Sequence, residues 1–130
     1  MNAPSIDIKD MLTADSTTGL VYGTNLFLNA EPTEPSDCVT IFDTPGYSPA
    51  LSLDGANYEY PSVQIRVRSR KQNDAWEVIS EICDSLHGRH NETWNGVYYT
   101  VIKLVGTPAL LDWDDNRRCR FVLNFNIQRR

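Results

Sequence analysis

Hydrophobic and polar residues alternate most regularly in the segment Pro61–Arg70. The apolar positions are Val63, Ile65 and Val67, and the polar positions between and after them are Gln64, Arg66, Arg68 and Arg70. Because successive side chains of a β-strand point to opposite faces, this period of two predicts a strand with one buried and one polar face.

The period changes to 3.6 residues directly after this strand. The apolar stripe consists of Ala75, Trp76, Ile79, Ile82, Cys83 and Leu86. A stripe of this kind predicts an amphipathic helix that packs on the apolar face of the sheet. We expect Asn73 to cap the start of the helix and Gly88 to follow its end as the C′ glycine.

The rest of the chain contains one further predicted helix and four further predicted strands. The helix is Ile6–Ala14, with Ser5 as its cap. The strands are Asn25–Asn29, Cys38–Asp43, Val97–Val105 and Cys119–Ile127. The order α-β-β-β-α-β-β predicts one domain, residues 1–130, with a two-layer α+β fold. In this fold a mostly antiparallel mixed sheet carries both helices on one face.

Long polar connections separate these elements. The longest is Thr44–Tyr60, which contains Tyr47, Tyr58 and Tyr60. Tyrosines are common at interfaces, so we predict that these three contact another protein. Shorter connections are predicted for Ala30–Asp37, His90–Gly96 and Thr107–Asn116.

The charges divide unevenly along the 130 residues. Residues 1–60 carry nine acids and one base, a net of −8, and residues 61–130 carry eight acids and eleven bases, a net of +3. This is either clustering without consequence or the basis for head-to-tail association of copies. The overall charge of −5 argues against free duplex DNA as the main ligand. No apolar run is long enough for a membrane span, and we expect no membrane partner.

Residues with potential for chemistry form no recognised catalytic or metal-binding motif. The three cysteines are an odd number without a CxxC pair, so we expect buried free thiols: Cys38, Cys83 and Cys119. His87 and His90 lack the spacing of a helical metal pair, and Asp112–Asn116 does not fit a calcium loop. We therefore predict no catalytic residue, no cofactor, no metal and no enzymatic activity.

The row of arginines in Pro61–Arg70 leaves three interpretations open. It is a solvated or salt-bridged strand face, a contact with another protein, or a contact with nucleic acid. RNA-binding sheets interleave arginine with aromatic residues, which this row lacks. We retain Arg66, Arg68 and Arg70 as candidate interface residues together with the three tyrosines.

Three segments of the chain resemble one protein family. They are VTIFDTPGY (Val39–Tyr47), YPSVQIRVRSR (Tyr60–Arg70) and AWEVISEICDSLHG (Ala75–Gly88), and the closing FVLNFNIQRR is also similar. The chain resembles the minor capsid, or tail terminator, family of long-tailed bacteriophages over most of residues 20–130.

The resemblance implies the fold order given above and a function without catalysis. It implies a hexameric ring that caps the tail tube, ends tail growth and offers a surface to the head completion or connector protein. DNA would only pass through the ring lumen, and the protein would assemble in the host cytoplasm and reside in the tail or neck of the virion. Another neck role (connector or stopper) and a small nucleic-acid-binding module stay open as alternatives, and a small hydrolase or nuclease is a third.

Overall fold

The computed structural model describes residues 1–49 and 58–130. It contains two α-helices and a six-stranded sheet in the strand order β1-β2-β3-β6-β5-β4. The elements are α1 Pro4–Ala14, β1 Leu26–Leu28, β2 Cys38–Tyr47, β3 Tyr60–Ser69, α2 Gln72–Leu86, β4 His90–Trp94, β5 Val97–Trp113 and β6 Cys119–Arg129. Only the β1–β2 pair is parallel. The predicted α+β class with a mostly antiparallel mixed sheet is confirmed, and the assignment to one domain stays a prediction.

One hydrophobic core joins both helices to one face of the sheet. Val63, Ile65 and Val67 of β3 are at most 2% exposed, as the alternation predicted. They pack in the same cluster as Ile8, Met11 and Leu12 of α1 and Ala75, Ile79, Ile82 and Leu86 of α2. No helix among the described residues packs on the opposite face of the sheet, and we call that face the open face.

Both helices start earlier than predicted. Pro4 occupies the first turn of α1, where its fixed φ suits a helix start and its missing N–H is not needed. Ser5 is therefore not a cap: its N–H and hydroxyl donate to the carboxylate of Asp43 at 2.9 and 2.7 Å. Asn73 lies inside the first turn of α2, whose cap residue is Lys71. Gly88 has φ +84° and follows the helix as predicted.

The chain after α2 forms three strands, one more than predicted. The segment His90–Gly96, predicted as a turn, contains β4 and a two-residue hairpin at Asn95 and Gly96, with φ values of 52° and 78°. Positive φ at both positions matches the twist of the flanking strands. The predicted loop Thr107–Asn116 is mostly strand, because β5 continues along β6 to Trp113 after an irregular register between Val105 and Ala109.

Both ends of the predicted loop Thr44–Tyr60 are strand in the structure. Strand β2 extends to Tyr47 and β3 begins at Tyr60, while residues 50–57 of this segment lie outside the described residues. The two strands approach closely at Gly46, where an added Cβ would lie 1.9 Å from the carbonyl oxygen of Tyr60. Only glycine fits this position without separation of the strands.

The thiols are all free, but they differ in exposure. Cys38 and Cys119 are buried as predicted, and Cys83 is only partly buried. Burial raises the pKa of all three thiols. Among the described residues, no helix has the length and hydropathy required for a membrane span.

Candidate assembly surfaces

Arg68, predicted on a polar strand face, is buried within its own chain. Its side chain is 2% exposed and its Nη1 lies 3.0 Å from Oε1 of Glu31. Three further guanidinium hydrogens are donated to the carbonyl oxygens of Thr33, Pro35 and Ser36. The connection before β2 thus folds over one end of the open face, so Arg68 cannot contact another molecule while this connection stays in place.

The same carboxylate also binds an arginine of the neighbouring strand. Arg120 donates to Glu31 at 2.7 Å and to Asp112 at 3.0 Å. Hydrogen bonds to Glu31, and then to Asp112, raise the pKa of the Arg120 guanidinium despite partial burial. Asp112, the first of the clustered carboxylates in Asp112–Asn116, is therefore paired with an arginine of its own chain.

Asp114 of the same cluster is held within the β5–β6 turn. Its carboxylate accepts the backbone N–H of Arg118 at 2.9 Å and the Nε of Arg118 at 2.7 Å. Burial alone would raise the pKa of Asp114, but these hydrogen bonds outweigh it and lower the pKa. The carboxylate therefore stabilises a tight turn.

Arg66 and Arg70 differ from Arg68 because they find no acid partner among the described residues. Arg66 stacks over the ring of Phe42 at 4.7 Å and donates to Gln64 at 2.8 Å, which holds a charged group on the open face. Arg70 is exposed and donates to Ser36 and to the carbonyl of Asn116. The structure thus divides the predicted arginine row into one internal and two accessible side chains.

The three predicted interface tyrosines also differ in accessibility. Tyr47 is 72% exposed at the end of β2. Tyr58 is partly buried with the guanidinium of Arg130 at 5.4 Å from its ring, and Tyr60 is partly buried at the start of β3. A role for all three in an interface stays a prediction, with Tyr47 the most accessible.

The two histidines form hydrogen bonds with backbone groups. His87 Nδ1 accepts the backbone N–H of Leu104 at 3.0 Å, and the ring of His90 lies 3.0 Å from the carbonyl of Gly88. In the described part of the chain, no three His, Cys, Asp or Glu side chains gather into a group that could hold a metal ion.

A buried polar network that the sequence did not reveal ties the two chain ends together. Asp7 is fully buried, and it accepts hydrogen bonds from the hydroxyl of Tyr99 and from Asn95. Burial, together with the hydrogen bond to Asp7, raises the pKa of Tyr99. Arg129 donates to Tyr99 at 3.3 Å and to the carbonyl of Asn2 at 2.9 Å. The network stabilises the fold.

An exposed apolar patch is the second feature that the sequence analysis missed. Trp76 is 46% exposed and its ring meets that of Phe121 edge-on at 5.6 Å. Leu110 and Trp113 of β5, 49% and 51% exposed, lie opposite Phe121 and Cys119 of β6 and therefore on the same side of the sheet. We call Trp76, Leu110 and Trp113 the apolar patch. The mostly apolar run ALLDW (Ala109–Trp113) within the predicted loop Thr107–Asn116 is the sequence signal that could have indicated this patch.

Tyr47 and the apolar patch are exposed surfaces of the kind that contact other proteins. A family model described as bacteriophage tail terminator protein matches residues 12–130. The chain belongs to this family. It is therefore a structural protein of the virion tail, and the predicted family resemblance is confirmed.

A solved structure shows the same fold as this chain. A chain in a structure titled "Virion of native gene transfer agent (GTA) particle" superposes with a TM-score of 0.73 at 14% sequence identity. The match covers 98% of this chain and 94% of that chain. No curated protein matches the sequence.

Proposed function

We propose that this tail terminator forms a ring, hexameric as the family resemblance implies, which caps the tail tube and ends its elongation. The match of residues 12–130 to the family carries this proposal. The ring would also offer a surface to the head completion or connector protein, and DNA would pass through its lumen. Assembly would take place in the host cytoplasm.

The proposed function requires no catalysis. The carboxylates that cluster in sequence, Asp112 and Asp114, are paired with Arg120 and Arg118 and stabilise the chain itself. The most exposed aromatic side chain of the candidate set, Tyr47, is a proposed contact with a neighbouring virion protein. Aromatic residues contribute much of the energy of such contacts.

Electron microscopy of virus lysates that lack this protein tests the proposal. We expect tails of uncontrolled length that do not join heads, and restoration of uniform joined tails when the wild-type gene is supplied. Uniform tails that fail to join heads would instead support the connector or stopper alternative. Uniform tails already joined to heads would contradict both roles.

The Tyr47 contact is tested by the same complementation. We expect the Tyr47→Ala protein to fold, because the side chain is 72% exposed, and to restore uniform tails less efficiently than wild type. Ser48→Ala, at the adjacent exposed position, is the matched control. Equal complementation by both variants would exclude Tyr47 from the contact.

A further inference from the structure

The exposed surface of α2, which includes Trp76 of the apolar patch, is acidic. The helix carries four acids and no base, and all four acids are exposed: Asp74, Glu77, Glu81 and Asp84. None of them forms a salt bridge with another described residue. Glu77 and Glu81 are four residues apart, a spacing at which like charges destabilise a helix. A partner with positive charge would remove this repulsion.

The open face of the same chain has the complementary character. Its accessible part contains Arg66 and Lys103, and neither forms a salt bridge with another described residue. Phe42 and Val122 lie beside Arg66, the first beneath its guanidinium and the second opposite it on β6. This surface therefore combines apolar area with positive charge, as the α2 surface combines apolar area with negative charge.

The spacing of the charges also agrees. Lys103 is opposite Asn126 and Arg66 is opposite Val122, so the two bases are two strands and four residues apart. Standard strand spacings place their Cα atoms about 16 Å apart. The rise of an α-helix places Asp74 and Asp84 about 15 Å apart. The acidic row on α2 can thus span both bases.

We propose that the α2 surface of one copy, together with the adjoining apolar patch, docks on the open face of the next copy. This inference rests on the proposed ring and names the surfaces that build it. The two surfaces lie on opposite layers of the fold, so the contact is heterologous and repeats from copy to copy. Such a contact closes into a ring when the rotation permits. Trp76 is the expected anchor, because half-exposed tryptophans dominate interface energies once they are buried.

Charge reversal tests the contact by sedimentation velocity over a range of protein concentrations. One variant carries Glu77→Lys and Glu81→Lys, and another carries Arg66→Glu and Lys103→Glu. Each should assemble at least ten-fold more weakly than wild type, while the chain with all four changes should recover assembly. Recovery of assembly by the four-fold variant is the decisive result, because both surfaces then have reversed charge and are again opposite to each other. The matched control, Glu34→Lys with Asp115→Lys, changes exposed acids elsewhere and should assemble as wild type does.

The outcomes separate this contact from the ring itself. A wild-type ring that all charge variants form equally well would contradict the contact and leave the ring intact. A wild-type protein that is monomeric at every concentration would contradict both. Circular dichroism verifies that each variant is folded before its assembly is compared.

A photo-crosslinking amino acid at position 76 gives an independent test that does not depend on charge. We expect crosslinks to peptides that contain Phe42 or Val122 of a second copy. Crosslinks to other surfaces only would overturn the proposal. Fluorescence anisotropy with duplex DNA covers the alternative occupant: if Arg66→Glu with Lys103→Glu removes DNA binding and leaves assembly unchanged, the open face belongs to nucleic acid.

Discussion

Neutralising Glu31 should destabilise the protein more than neutralising Glu34 or Asp37, the other two acids of the connection before β2. Arg68 and Arg120 lie directly opposite each other on β3 and β6, and Glu31 binds both guanidinium groups. Glu31→Gln leaves these two positive charges facing each other, and like charges at opposed positions destabilise a sheet. Arg120 retains Asp112, but Arg68 retains only carbonyl acceptors.

The magnitude follows from the burial of these groups. Removal of one partner from a buried ion pair costs about 3–5 kcal/mol. Glu31 is 13% exposed at its side chain and Arg68 keeps its carbonyl contacts, so the low end applies. We expect Glu31→Gln to lower the free energy of unfolding by about 3 kcal/mol, which for a domain of this size lowers Tm by about 10 °C.

Urea unfolding monitored by circular dichroism measures this loss. Glu34→Gln is the control, because it makes the same chemical change at an exposed position three residues away. The double variant Glu31→Gln with Arg68→Met should cost less than the sum of the single changes by more than about 1 kcal/mol, since the two groups interact directly. A Glu31→Gln protein as stable as the Glu34→Gln control would refute the assignment of this cluster as a stabilising ion network.

Two further predictions concern a close approach and a turn. Gly46→Ala places a Cβ against the carbonyl of Tyr60 and should lower the free energy of unfolding, measured in urea, by about 1–3 kcal/mol. The control Ser48→Ala should change this free energy little. Equal stability of the two variants would contradict the close approach. The pKa of Asp114 is lowered by Arg118 in the folded state, so its stabilisation is complete above about pH 4 and is lost as pH falls through the folded pKa. The stability difference between wild type and Asp114→Asn should therefore shrink on acidification, and a constant difference down to about pH 2 would contradict this reasoning.

Local periodicity by itself determined the central elements of this protein. The alternation in β3 and β6 and the apolar stripe of α2 predicted their core faces, because side-chain direction along a strand or helix follows from backbone geometry alone. The glycine after α2 was predicted for the same local reason, since it needs only a positive φ. The family resemblance likewise depended on segments that each contain one regular element.

Tertiary structure decided what depends on a partner distant in sequence. Arg68 lies on the same face of β3 as Arg66, yet it is buried because the connection that contains Glu31, 37 residues earlier, folds over it. The distal half of β5 reads as a loop, yet it is a strand because β6 supplies its hydrogen bonds. Asp7 and Tyr99 become one buried network although 92 residues separate them. The periodicity of the sequence specifies only which face of a strand or helix each of these side chains occupies. Whether the side chain is buried and paired there depends on neighbours that are distant in sequence, which the local pattern does not specify.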